Sequence, residues 1–207
     1  MFFPEYIQHI EESDRVLEVG PGGTPHPRSD VMLEKIFSED EAHEQRGQTD
    51  ALVTEKPVIY YEGDSFPFED DEFDYVICSH VLEHIDDVDA FSRELNRVAK
   101  KGYVEYPTIY YDFVYNFPHH KTFLFYSDGV SYWMPKSDTP LEFFRPVQDF
   151  FRASLAIDTY VDFISKFMKY FFQGFEWFGT IQTERASRLS EVCFDVDDFA
   201  DGLFPPP

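Results

Sequence analysis

Several side chains stand where they could do chemistry. Glu18 is a carboxylate inside the apolar run Val16-Leu17-Glu18-Val19, two residues before the turn Gly20-Pro21-Gly22-Gly23. Burying it without a partner is costly, so it asks for a cationic or hydrogen-bonding ligand nearby. Gly20 and Gly22 let the chain bend sharply and put no side chain in a ligand's way; a plain turn is the alternative reading. Glu34 closes a second apolar run, Asp30-Val31-Met32-Leu33-Glu34. An acidic residue at that place binds ribose hydroxyls in dinucleotide folds, and its two oxygens suit a vicinal diol. The alternative is a solvated strand-end carboxylate. The adjacent His119 and His120 make a poor metal motif, because no third ligand stands at a suggestive spacing. No metal site is read from the sequence.

Composition narrows the classes. The chain has 207 residues, enough for one domain with a full core. Forty acidic residues face 17 basic ones, a net charge of -23. That field repels nucleic acid and anionic membrane surfaces. It is compatible with a cationic ligand, and solubility alone would also explain it. The two cysteines, Cys78 and Cys193, form no C-x-x-C motif, so neither a zinc cluster nor a disulfide framework is implied. No signal peptide and no apolar run of spanning length is visible. The expected setting is the cytoplasm.

The elements that must position these residues follow from periodicity. Residues 4–13 read as a short helix, with Pro4 in its first turn and Tyr6, Ile7 and Ile10 on one face. Residues 15–19 form a strand. Pro25 and Pro27 then argue against the helix that would normally cross back to the next strand. Strands follow at 30–34, 58–62, 73–80 and 103–107, with a polar, acidic loop over 36–54. Residues 87–99 form a helix whose Val88, Phe91, Leu95 and Val98 share one face, and Gly102 is expected to stop it.

The first half of the chain resembles class I S-adenosylmethionine-dependent methyltransferases, in particular the methyltransferase type 11-like domain. Arg15 to Gly23 is similar to the family's (D/E)-x-G-x-G motif. Phe66 to Asp74 is similar to its L-P-F-x-D-x-x-F-D string, and Phe73 to His84 to F-D-x-V-x-x-x-x-x-L-E-H. The helix and strand that follow resemble L-x-E-x-x-R-V-x-K-x-G. The chain departs from the family where the first crossover helix is missing or reduced. The resemblance implies an α/β, Rossmann-like methyltransferase sheet, mostly parallel, with a C-terminal antiparallel hairpin. It implies S-adenosyl-L-methionine as cofactor. Glu18, Gly20 and Gly22 would frame its amino-acid end and Glu34 its ribose. Asp64 would meet the adenine amine, with Ser65 helping through its N–H. Ser79 and His80 would line the site near sulfur.

A general base is needed only for a weakly acidic hydroxyl or a protonated amine acceptor. His84 is the first candidate, with His119 and His120 behind it; His84 could equally cap or pack on the following helix. The expected function is methyl transfer to an unidentified acceptor, by default a small molecule. The alternative is a catalytically inactive binding or interaction module. A nicotinamide-dependent reductase fits less well, because no G-x-G-x-x-G leads into a helix.

The whole chain reads as one domain, with 15–107 as the cofactor-binding core. The aromatic-rich region 108–175 forms the acceptor side and cover. Within it, 131–146 is loop-like and 147–172 helical, with wide apolar faces that could cover the sheet or a homodimer partner. Residues 175–183 and 190–196 are expected as a closing strand pair, and 197–207 as an acidic tail.

Overall fold

Short apolar, β-branched runs form the strands of the main sheet. They are Val16–Val19 (β1), Val31–Lys35 (β2), Val58–Tyr61 (β3), Tyr75–Ser79 (β4) and Lys101–Pro107 (β5). With Phe172–Phe178 (β8) they make one six-stranded sheet in the order β3-β2-β1-β4-β5-β8. The first five strands run parallel, and β8 closes the edge antiparallel to β5. The fold is α/β and Rossmann-like. This computed structural model describes residues 1–36, 52 and 54–194. Most of the acidic loop and the C-terminal tail lie outside the described residues.

No helix crosses between β1 and β2; residues 20–30 run as turns and extended chain. The helix α1, Val88–Val98, packs on the sheet through Val88, Phe91, Leu95 and Val98, and the Asp87 carboxylate caps it by accepting the Ala90 N–H at 2.8 Å. Gly102 does not stop this helix but belongs to β5. A Cβ there would sit 2.4 Å from the Val76 carbonyl oxygen, so glycine lets β5 approach β4.

A second sheet was not expected. The helix α2, Ile109–Tyr115, leads into the hairpin Thr122–Ser127 (β6) and Val130–Pro135 (β7), and Gln182–Arg185 (β9) adds parallel to β7. Thus 131–135 is strand rather than loop; the buried Trp133 and Met134 give it a core to pack against. β9 pairs with β7, not with β8. The strand expected over 190–196 is replaced by a 3-10 turn at Leu189–Val192, and residues 195 and 196 lie outside the described residues. The helical region resolves into Arg145–Ser154 (α3), Asp158–Ile164 (α4) and Met168–Phe171 (α5).

The expected helix over 4–13 shrinks to a 3-10 turn, Pro4–Tyr6. The N–H groups of Gln8 and His9 are taken by the Glu176 carboxylate at 3.1 and 3.0 Å instead of by helical carbonyls. Ile7 and Ile10 still pack on the core, against Val16, Tyr75, Ile77 and Tyr103. No helix among the described residues is long and apolar enough to cross a membrane.

Candidate active site

A cavity of about 1480 Å³ opens at the carboxyl ends of β1, β2 and β4, where open α/β sheets bind ligands. Gly20 and Gly22 form one wall. Both take left-handed backbone, at φ 62° and 61°, which favours glycine. A Cβ on Gly20 would meet Val81 Cγ2 at 2.6 Å, whereas one on Gly22 would meet nothing within 4 Å. Gly22 therefore leaves open space facing the cavity. Glu34, buried near the end of β2, and Asp64, exposed on the bend after β3, line the same cavity.

Glu18 and Ser65 do not line the cavity. Glu18 finds its hydrogen-bonding partners within the chain: its Oε2 accepts the His26 N–H at 2.8 Å and the Ser29 hydroxyl at 2.5 Å. Burial pushes its carboxyl up, although these bonds oppose that. Glu18 thus pins the extended loop that stands in for the missing helix. Ser65 faces solvent beside Phe66. The string from Phe66 to Asp70 is held by Arg97, which donates to the Phe66 and Phe68 carbonyls and to Asp70.

Ser79 and His80 line the cavity at the end of β4. Ser79 Oγ donates to Glu105 Oε1 at 3.0 Å. The His80 ring sits between two buried carboxylates, with Nε2 2.8 Å from Glu105 and Nδ1 3.3 Å from Glu83. Burial pushes the His80 imidazole down, but the carboxylates outweigh it and hold it up at about 9. Burial likewise pushes Glu83 and Glu105 up, and the His80 imidazolium beside them brings both down to about 2, at Glu105 with help from the Tyr103 hydroxyl and the Phe3 N–H. His80 is therefore an imidazolium and no base at neutral pH. Its φ of 58° is unusual for a non-glycine residue, and Phe2 packs edge-on against its ring at 5.0 Å.

His84, His119 and His120 come together on the same cavity. The reason is a clip between two segments. Lys121 N–H donates to the Glu83 carbonyl at 2.6 Å, and Thr122 Oγ1 to the Ile85 carbonyl at 2.7 Å. These bonds tie the entry to β6 onto the turn Leu82–His84. The rings of His84 and His119 then stack at 5.3 Å, and His120 meets His84 edge-on at 5.0 Å. Burial pushes His84 down, and it pushes His119 down to about 4 with help from the neighbouring histidines. Glu83, His84 and His120 each place a metal-ligand type of atom within 4.8 Å of the others. The fold thus sets Glu83 and His84 beside His120, a grouping that the local spacing does not announce.

Glu83 and Glu105 escaped the sequence reading. Glu105 carried a signal, since it is a carboxylate in the buried run Tyr103-Val104-Glu105-Tyr106, as Glu18 is in β1. Glu83 carried none, because its burial depends on the second sheet.

Residues 17–104 match a family model described as a methyltransferase domain. This stretch, from β1 into β5, is similar to that methyltransferase domain. No curated protein matches the chain. Among solved structures, the YcgJ protein of Bacillus subtilis is 21% identical with a TM-score of 0.36, over 52% of each chain. A protein of Pyrococcus horikoshii is 18% identical at a TM-score of 0.41, over 58% of this chain and 66% of that one. A SAM-dependent methyltransferase of Methanosarcina mazei is 16% identical at 0.36, over 60% and 72%. The chain spans about half the length of the first of these and just under two thirds of the second, at 52% and 66%.

Proposed function

We propose that the chain transfers the methyl group of S-adenosyl-L-methionine to a small-molecule acceptor. One observation carries this: Gly22, with open space where a side chain would stand, shares one cavity at the strand ends with Glu34 and Asp64. Bound there, the cofactor would supply a methyl group already activated by a sulfonium. Gly20 and Gly22 would frame its amino-acid end, Glu34 would accept from the ribose diol, and Asp64 would accept from the adenine amine. Glu18 and Ser65 act at one remove, Glu18 by holding the loop behind Gly22. His80 and Ser79 would form a polar wall, held from behind by the buried Glu105.

The cavity exceeds the roughly 300–1,000 Å³ of an ordinary ligand site, so an acceptor has room beside the cofactor. Tyr111, Phe117 and Phe172 line that remaining part and suit an apolar or aromatic acceptor. The net charge of -23 supports a small molecule over nucleic acid. His84 donates its Nδ1–H to the His119 carbonyl at 3.0 Å, which leaves a lone pair on Nε2 able to take a proton from the acceptor. Both cysteines are free thiols, which supports a reducing, cytoplasmic setting. Apolar side chains on α3 and α4, with Phe150 67% and Phe163 57% exposed, support a homodimer through that region.

Calorimetry with S-adenosylhomocysteine tests the cofactor assignment. The folded chain should bind it saturably, and Glu34→Ala and Asp64→Ala should each weaken binding by about tenfold to a hundredfold, the worth of a hydrogen bond to a charged group. No heat from folded protein would favour the non-catalytic binding module instead.

A further inference from the structure

Glu83 is a buried carboxylate that accepts no hydrogen bond. It is 1% exposed, and neither Oε1 nor Oε2 has a hydrogen-bond partner. His80 Nδ1 balances part of its charge from 3.3 Å, but the lone pairs stay unused. Such a group is costly unless a cation completes it.

Two imidazoles face it, and both are held in a ligand's posture. His84 is fixed through Nδ1 by the His119 carbonyl, which can only accept. His120 is fixed through Nδ1 by the buried Asp112 Oδ1 at 2.7 Å. In its neutral form each ring therefore carries its lone pair on Nε2. A carbonyl or carboxylate behind a histidine is the outer shell that metal sites use to set tautomer and direction. We infer that Glu83, His84 and His120 bind a divalent transition-metal ion on the wall of the cavity.

Their ligand atoms lie within 4.8 Å of one another. Ligands of a metal at about 2.1 Å stand about 3–4 Å apart, so closure asks only for small side-chain rotations. Two imidazoles with one carboxylate suit Zn²⁺, Fe²⁺ or Mn²⁺ better than Mg²⁺ or Ca²⁺, which prefer all-oxygen sites. Three protein ligands leave coordination positions for water or for an oxygen of the acceptor, and all three residues line the cavity. That last use, which makes the acceptor an oxygen-bearing molecule, rests on the methyl-transfer reading; binding of the ion does not. With the ion bound, the His84 Nε2 lone pair is occupied, and the proton role given to His84 above passes to His119, which lies outside the ligand set.

The test is calorimetric titration of Zn²⁺ into the full metal-stripped chain, with Mg²⁺ as comparison. One saturable Zn²⁺ site per chain is expected, with much weaker Mg²⁺ binding. Glu83→Gln and His120→Ala should abolish that site, and Asp112→Ala should weaken it by about 10- to 100-fold. S-adenosylhomocysteine affinity should stay unchanged in Asp112→Ala, whose carboxylate does not line the cavity. No saturable Zn²⁺ site in the folded chain would overturn the proposal. So would an unchanged site in the variants that fold, which would place the ion on the acidic surface. Loss of cofactor binding with the metal site intact would sink the methyl-transfer reading alone.

Discussion

Glu105 shows how one buried carboxylate organises this site. Its oxygens accept from the Phe2 and Phe3 N–H groups, Ser79 Oγ and Tyr103 Oη, and it faces His80. Burial alone would raise its carboxyl; His80 and these donors hold it at about 2, against an ordinary 4.5. A depressed carboxylate contributes stability above its unfolded value and loses it as pH falls through the folded one. The shift corresponds to about 3 kcal/mol. Urea unfolding from about pH 5 to about pH 2 should reveal that loss. Glu105→Gln should start less stable at neutral pH and show a shallower acid limb, and acid limbs of equal slope would refute the assignment. At this scale, Gly20, Gly22, Glu34, Asp64, Ser79 and His80 were singled out from motif order, and the fold sets them around one cavity. Glu18 was singled out correctly as a buried carboxylate needing a partner, but the partner is its own loop. Partners eleven residues away, such as Ser29 for Glu18, follow from a turn's path and not from residue type.

At the scale of elements, the second sheet is what assembles the histidine cluster. Asp89 locks it to α1: its Oδ1 accepts from Trp133 Nε1 at 2.8 Å and from Thr183 Oγ1 at 2.6 Å. Asp89→Ala removes both bonds and leaves the donors facing apolar surroundings, a cost of about 2 kcal/mol or more. Urea denaturation should show that drop with the slope unchanged; a variant as stable as the parent would mean the two sheets are held by apolar packing alone. The parallel strands and α1 are legible because each carries its own period of apolar residues. The sheet of β6, β7 and β9 was not. β9 pairs with β7 across some fifty residues of intervening chain, as in Val130 against Gln182, and its own sequence is polar and mostly exposed.

At the scale of the whole molecule, charge and apolar surface oppose each other. A net charge of -23 resists self-association, while the exposed Phe150 and Phe163 favour it. The proposed homodimer should therefore strengthen with salt, which screens repulsion. Sedimentation should show a concentration-dependent dimer at moderate ionic strength, and Phe150→Glu with Phe163→Glu should return it to monomer. A monomer at every concentration and salt would remove the dimer.

The sequence by itself determined the parallel sheet, the absent crossover helix and the glycine-lined rim. Those features are local, encoded in runs of apolar residues, two prolines and glycines whose effect extends only a few residues. Only the tertiary structure decided that His120 meets Glu83 and His84, that His80 is locked between Glu83 and Glu105, and that Glu18 is satisfied internally. Those outcomes depend on burial and on contacts between segments far apart in the chain. Whether a buried carboxylate meets a loop, an imidazolium or a metal ion is settled by what folds on top of it.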